Sequence, residues 1–128
     1  MKKIILVTFI ALLNATAFAQ KISWLQGTWK GVGEQPNALT QPTWEMELIC
    51  KGNKVTTNYP SFPCGATWKL LVLDNNTATF MEKLTSGKDR CLNNEKVVIQ
   101  LMDNNYCSLT YYLGDETIAT ARIKKEMP

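Results

Sequence analysis

Short polar turns recur along this sequence at intervals that leave room for strands and not for helices. Lys51-Gly52-Asn53, Asp74-Asn75-Asn76, Asp103-Asn104-Asn105 and Gly114-Asp115-Glu116 each separate two stretches of alternating apolar and polar residues. Asn, Asp and Gly suit such turns because they tolerate positive φ, and Asn and Asp also bond their own backbone. Alternation is clearest where Trp44, Met46, Leu48 and Cys50 share one parity and Glu45 and Glu47 the other, the pattern of a strand with one buried and one wet face. Helical periodicity is weak throughout, so the expected class is all-β.

Eight strands follow from this punctuation: Gly27 to Gly31, Trp44 to Cys50, Lys54 to Tyr59, Thr67 to Leu73, Thr77 to Leu84, Lys96 to Met102, Tyr106 to Leu113 and Thr117 to Lys124. The lead-in Ile22-Ser23-Trp24-Leu25 is placed to close one end. Hairpin-length links in simple succession predict an eight-stranded antiparallel up-and-down barrel, lipocalin-like in outline, which removes sheet edges by closing. A two-sheet β-sandwich is the alternative with the same strand spacing.

The first 19 residues have a different character. Met1-Lys2-Lys3, an apolar run from Ile4 to Leu13, and small residues at Ala17 and Ala19 read as a secretory signal peptide cut after Ala19. Residues 20–128 then form one domain, expected in the periplasm or the medium. No stretch reaches the roughly 20 apolar residues of a membrane span. The formal charge of +3 falls to about +1 once Lys2 and Lys3 are removed, which gives no electrostatic case for nucleic acid. Export also places Cys50, Cys64, Cys91 and Cys107 where disulfides persist.

Strand parity sorts the connections. The turns at Lys51, Asp74 and Asp103 share one end of the barrel. The connection Val32 to Pro42, the loop Pro60 to Gly65, the segment Ser86 to Glu95 and the Gly114 turn share the other. Long loops on a rigid scaffold are where binding resides, so the second end is the expected binding face. Cys64 and Cys91 fall at that end, Cys50 and Cys107 at the short-turn end. The expected disulfides are therefore Cys64 with Cys91 and Cys50 with Cys107, because any other pairing would bridge opposite ends.

The run Tyr59-Pro60-Ser61-x-x-Cys64-Gly65, the strand Phe80-x-Glu82-x-Leu84, then Gly87, Cys91 and Leu109-x-Tyr111 resemble a small secreted bacterial β domain. That domain occurs alone and as the extracellular part of some bacterial serine/threonine kinases, and the resemblance implies no particular activity. It extends from Gly27 to about Arg122; Cys50 and Cys107 lie outside its pattern. Gly27-Thr28-Trp29 is similar to the first strand of lipocalin-like and avidin-like barrels, in which a Trp plugs one end.

Catalytic chemistry finds little to stand on. The chain has no histidine, so the commonest general base is missing, and no Ser or Thr has an evident activator. Neither a phosphate loop nor a metal-ligand spacing is present, and nothing calls for a metal or a cofactor. The expected function is a non-catalytic binding domain that engages a protein or cell-envelope partner through its braced loops, an inhibitor of an extracytoplasmic enzyme being one form. The alternative is a carrier of a small apolar ligand inside the barrel.

Candidate binding residues are Tyr59, Ser61, Phe62, Glu82, Lys88 and Arg90. Glu82 shares parity with Ala78, Phe80 and Leu84 and so points inward. A carboxylate there needs a partner, from the Tyr-Pro-Ser loop, Arg90 or Arg122, unless it anchors a ligand. Phe62, stiffened between two prolines, is either an exposed contact or tucked over the barrel end. Trp44 and Trp68 are read as core, with the lining of a pocket as the alternative, and Lys88 to Arg90 as a solvated loop that could also bind.

Overall fold

A computed structural model of the protein describes residues 21–36, 42–103 and 105–127. The signal-peptide reading of residues 1–19 lies outside them, as does part of the connection between the first two strands.

The eight strands are β1 (Gly27–Glu34), β2 (Thr43–Lys51), β3 (Lys54–Tyr59), β4 (Cys64–Leu73), β5 (Thr77–Ser86), β6 (Lys96–Asp103), β7 (Tyr106–Leu113) and β8 (Glu116–Lys125). Each pairs antiparallel with the next, and β1 pairs with β8, so the sheet closes into a barrel. Closure satisfies the backbone groups that the outer strands of a sandwich would leave bare.

Alternation does what its period requires. On β2, Trp44, Met46, Leu48 and Cys50 are buried, whereas Thr43, Glu45 and Ile49 are exposed. The inward residues of all eight strands meet in one core that includes Trp29, Leu48, Phe80, Val97, Ile99, Leu109 and Ile123. The barrel is filled rather than hollow along this stretch.

The short-turn end is closed by a 3-10 turn, Ser23–Leu25, whose flanking Ile22 and own Leu25 are fully buried. Trp29 holds it there by donating Nε1–H to the Leu25 carbonyl at 2.8 Å. Gln26 fastens it to the β2–β3 turn, donating to the Gly52 carbonyl at 2.7 Å and accepting from the Gly52 amide at 2.8 Å. Gly52 has φ +66°, which any side chain would strain.

Two expectations need correction. Cys64 is not a loop residue but the first residue of β4, opposite Tyr59, and its disulfide to Cys91 is formed. Cys50 and Cys107, in contrast, are free and buried. Parity correctly points both into the same end, but it says nothing of position around the wall. Cys50 on β2 and Cys107 on β7 are separated by β1 and β8. Their rungs also meet β1 at different levels, Cys50 at Gly27 and Cys107, through Ile123, at Gly31. Three strand steps of roughly 4.8 Å exceed the disulfide limit of about 6.8 Å between Cα atoms.

Candidate functional site

With one end plugged, the interior opens at the other, where the disulfide ties the β3–β4 loop to the β5–β6 loop. Gly87 lets the two approach, since it has φ +74° and a Cβ there would lie 2.9 Å from Cys64 Cβ. The Gly87 carbonyl then accepts from the amides of Arg90 at 2.9 Å and Cys91 at 3.0 Å, which turns the chain back toward the barrel. Between these loops lies a cavity of about 230 Å³. Trp44, Tyr59 and Tyr111 form its walls, Phe62, Leu92 and Ile118 its apolar lining, and Glu82 and Glu95 its acidic part.

Glu82 lies on the inward face of β5, 2% exposed. Its carboxylate accepts from the Tyr59 hydroxyl and from Trp68 Nε1–H at 2.8 Å. With its own proton committed to Glu82, the Tyr59 oxygen accepts from the Tyr111 hydroxyl 3.0 Å away. The Trp44 ring meets both tyrosines edge to face, its centroid 5.6 Å from each. Gly33, directly opposite on β1, leaves room for the indole. Trp44 Nε1 and Thr57 Oγ1 are buried without a hydrogen bond of normal length.

Glu95 extends the same arrangement. The β5–β6 register runs Phe80 to Val97 and Met81 to Lys96, and continues through the Glu82 amide donating to the Glu95 carbonyl at 2.8 Å. The two acids are thus cross-strand neighbours on the inward face, with Cβ atoms roughly 4.5–5.5 Å apart by standard geometry, where like charges repel. Asn94, at φ 62°, turns the chain into this position and accepts from Lys83 Nζ at 2.6 Å. Burial raises the Glu82 carboxyl above its usual range, although the bonds from Tyr59 and Trp68 pull the other way. Burial and the neighbouring Glu82 push Glu95 from 4.5 up to about 8.

A pH dependence of stability follows. Unfolded, Glu95 ionises near 4.5; folded, it keeps its proton to about 8, so between these values the folded chain binds more protons. Stability is therefore greatest below about pH 4.5 as far as this group is concerned, and falls as pH rises to about 8. Unfolding free energies from urea titrations at pH 5 and pH 8 should differ by on the order of 1–3 kcal/mol, less than the full shift because the cavity opens to water. Glu95→Gln should flatten most of the slope. A profile that is level or rises across this range would contradict the assignment.

Of the residues singled out from sequence, Tyr59, Phe62, Glu82 and Arg90 meet at this cavity. Phe62 is tucked, half-buried against the core, rather than standing free. Arg90 lies at the mouth, about half exposed; its guanidinium is 3.5 Å from the Pro63 carbonyl and 3.7 Å from Asp89, and it does not pair with Glu82. Arg122 is no partner either, since it lies over the Tyr106 ring, 5.7 Å from its centroid. Ser61 faces elsewhere and accepts from the Glu45 amide at 3.2 Å. Lys88 is exposed and does not line the cavity. Glu95 and Tyr111 were not anticipated; Glu95 shares the parity of Val97 and Ile99, and that signal could have found it.

No helix among the described residues is long and apolar enough to cross a membrane. No protein-family model matches this sequence, and no curated protein matches it. Among solved structures it is similar to a redesigned β-barrel at 14% identity and a TM-score of 0.57, over 86% of this chain and 98% of the other. At that identity the likeness is one of fold alone.

Proposed function

We propose that this protein is an exported, non-catalytic binding domain that engages a protein or cell-envelope partner at its loop end, taking a projecting group of the partner into the barrel mouth. One observation carries the reading: four residues chosen from sequence converge on a single cavity at the end that the disulfide braces, while the far end is sealed. Loops held by a cross-link reach the bound geometry with less ordering cost, which favours binding. Blocking the cleft of an extracytoplasmic enzyme is one use such a mouth could serve.

The carrier reading fares less well on the same geometry. Trp29, Phe80 and Leu48 fill the interior, so a cargo would have to sit in the mouth, against two carboxyl groups that hydrocarbon cannot pair.

Partner capture by the exported protein should fall roughly tenfold or more with Phe62→Ala and also with Arg90→Ala, as expected for central contacts. Asn75→Ala, at the plugged end, should leave capture intact. Crosslinking to envelope components of the producing cell measures all three. Capture that survives both mouth substitutions, or is lost with Asn75→Ala, would refute the reading.

A further inference from the structure

Resting on that reading, the chemistry of the mouth narrows what it receives. We propose that the cavity binds a primary ammonium group carried on an aliphatic stem, with Glu95 as its counter-charge and Trp44, Tyr59 and Tyr111 as its aromatic walls.

Two carboxyl groups face inward as cross-strand neighbours, and only one is provided for. Glu82 accepts from Tyr59 and Trp68. Glu95, 8% exposed, has no side-chain hydrogen bond or ion pair among the described residues, although it lines the cavity. A carboxylate set beside a second acid, with no partner of its own, is costly to ionise, and a cation entering through the open mouth is the ligand that removes the cost. None of the nearby cations among the described residues serves. Arg90 lies over Pro63 and Asp89, Lys83 is bonded to Asn94, and Lys96 lies 4.9 Å from the centroid of the Tyr112 ring.

The rest of the lining suits the same ligand. Aromatic rings attract a cation through their negative faces, most strongly where water is excluded. Phe62, Leu92 and Ile118 offer apolar surface along which a methylene stem can lie while its charged head reaches inward. An ammonium is compact and carries three donors, which suits one carboxylate in the lining of a cavity of about 230 Å³. The group could belong to a lysine side chain of a protein partner or to a free alkylamine.

Binding also moves a proton. At neutral pH the Glu95 carboxyl holds its proton, and the arriving ammonium pairs with the carboxylate, so one proton leaves for solvent as the ion pair forms. Affinity should rise with pH, by up to roughly tenfold per unit, and level off above about 8. The other charged or titratable groups facing Glu95 are Glu82 on β5, Tyr59 on β3, Tyr111 on β7 and Arg90 in the β5–β6 loop. Both tyrosines ionise well above this range.

Calorimetric titration of the mature protein with n-butylammonium chloride, n-butanol and Nα-acetyl-lysine methylamide tests the proposal. At pH 8, n-butylammonium should bind roughly tenfold or more tightly than n-butanol, and Glu95→Gln should erase the difference. Glu47→Gln, on the outer face of β2, should leave it unchanged. Should Glu95→Gln fail to fold, Glu95→Asp retains the charge and should retain the preference for ammonium over alcohol. Comparable binding of the lysine derivative identifies a protein side chain as the natural occupant; binding of the free amine alone identifies a small amine. Equal affinity for n-butylammonium and n-butanol, or an undiminished preference in folded Glu95→Gln, overturns the proposal. That failure would leave the partner reading standing if Phe62→Ala and Arg90→Ala still abolish capture. Ammonium binding without any effect of those substitutions on capture would keep this site and overturn the partner reading.

Discussion

Trp29→Ala is expected to destabilise the protein by about 3–5 kcal/mol, the range for removing a fully buried large aromatic. Trp29 is 0% exposed and contributes twice over. Its ring fills the core between β1 and the plug, and its Nε1–H holds the Leu25 carbonyl at 2.8 Å. Alanine would leave a cavity and an unmatched carbonyl, and would loosen the turn that seats Ile22 and Leu25. A domain of this size is usually stable by only about 5–15 kcal/mol, so the loss should appear as a large drop in the urea midpoint. Trp29→Phe should retain most of the packing, lose the hydrogen bond and cost less. The mouth lies at the opposite end, so ligand binding by the folded fraction should survive. A loss under about 1 kcal/mol would mean that the plug does not hold that end closed.

Removing the Cys64–Cys91 bridge by the double change Cys64→Ser and Cys91→Ser should cost about 3–4 kcal/mol. The two residues are 27 apart in sequence, and closing a loop of that length restricts the unfolded chain by roughly this amount in the chain-entropy account. Here, unlike Trp29→Ala, function should suffer with stability. Cys91 lines the cavity, and the bridge holds the β5–β6 loop with Leu92 and Arg90 against the β3–β4 loop with Phe62. Alkylation in denaturant, followed by mass measurement, checks the premise. Before reduction two labels should be taken up, at Cys50 and Cys107; after reduction all four cysteines should react. Uptake of no label before reduction would place a second bridge in the protein and revive the pairing that the barrel geometry excludes.

The strands were legible because each inward residue must alternate with an outward one and each hairpin must turn on residues that tolerate it. Lys54–Tyr59 and Tyr106–Leu113 have the boundaries read from sequence, and the others extend by one to three residues where a neighbour continues the ladder. The loop face was legible for the same reason, since in an up-and-down barrel strand count alone assigns every connection to an end. β4 is where alternation fails. Leu70, Leu71, Val72 and Leu73 are all apolar, and a register shift between Leu70 and Val72 lets Leu70 and Leu73 pack on the core while Leu71 and Val72 are exposed. A uniform apolar run carries no record of where such a bulge falls.

Period and count were thus readable along the chain: all-β, eight strands, which residues face inward outside the β4 bulge, and which loops share an end. These depend on neighbours within a few positions, and short-range sterics and burial decide them. Distance around the wall, in contrast, is set by the assembled barrel. It separates Cys50 from Cys107, sets Glu95 beside Glu82, and closes Tyr59, Tyr111 and Trp44 into one lining, though these residues come from five different strands or strand edges. Closure is the cause. Which inward residues meet across a barrel depends on the register of every strand pair around the ring, and that sum is fixed only when β1 finds β8.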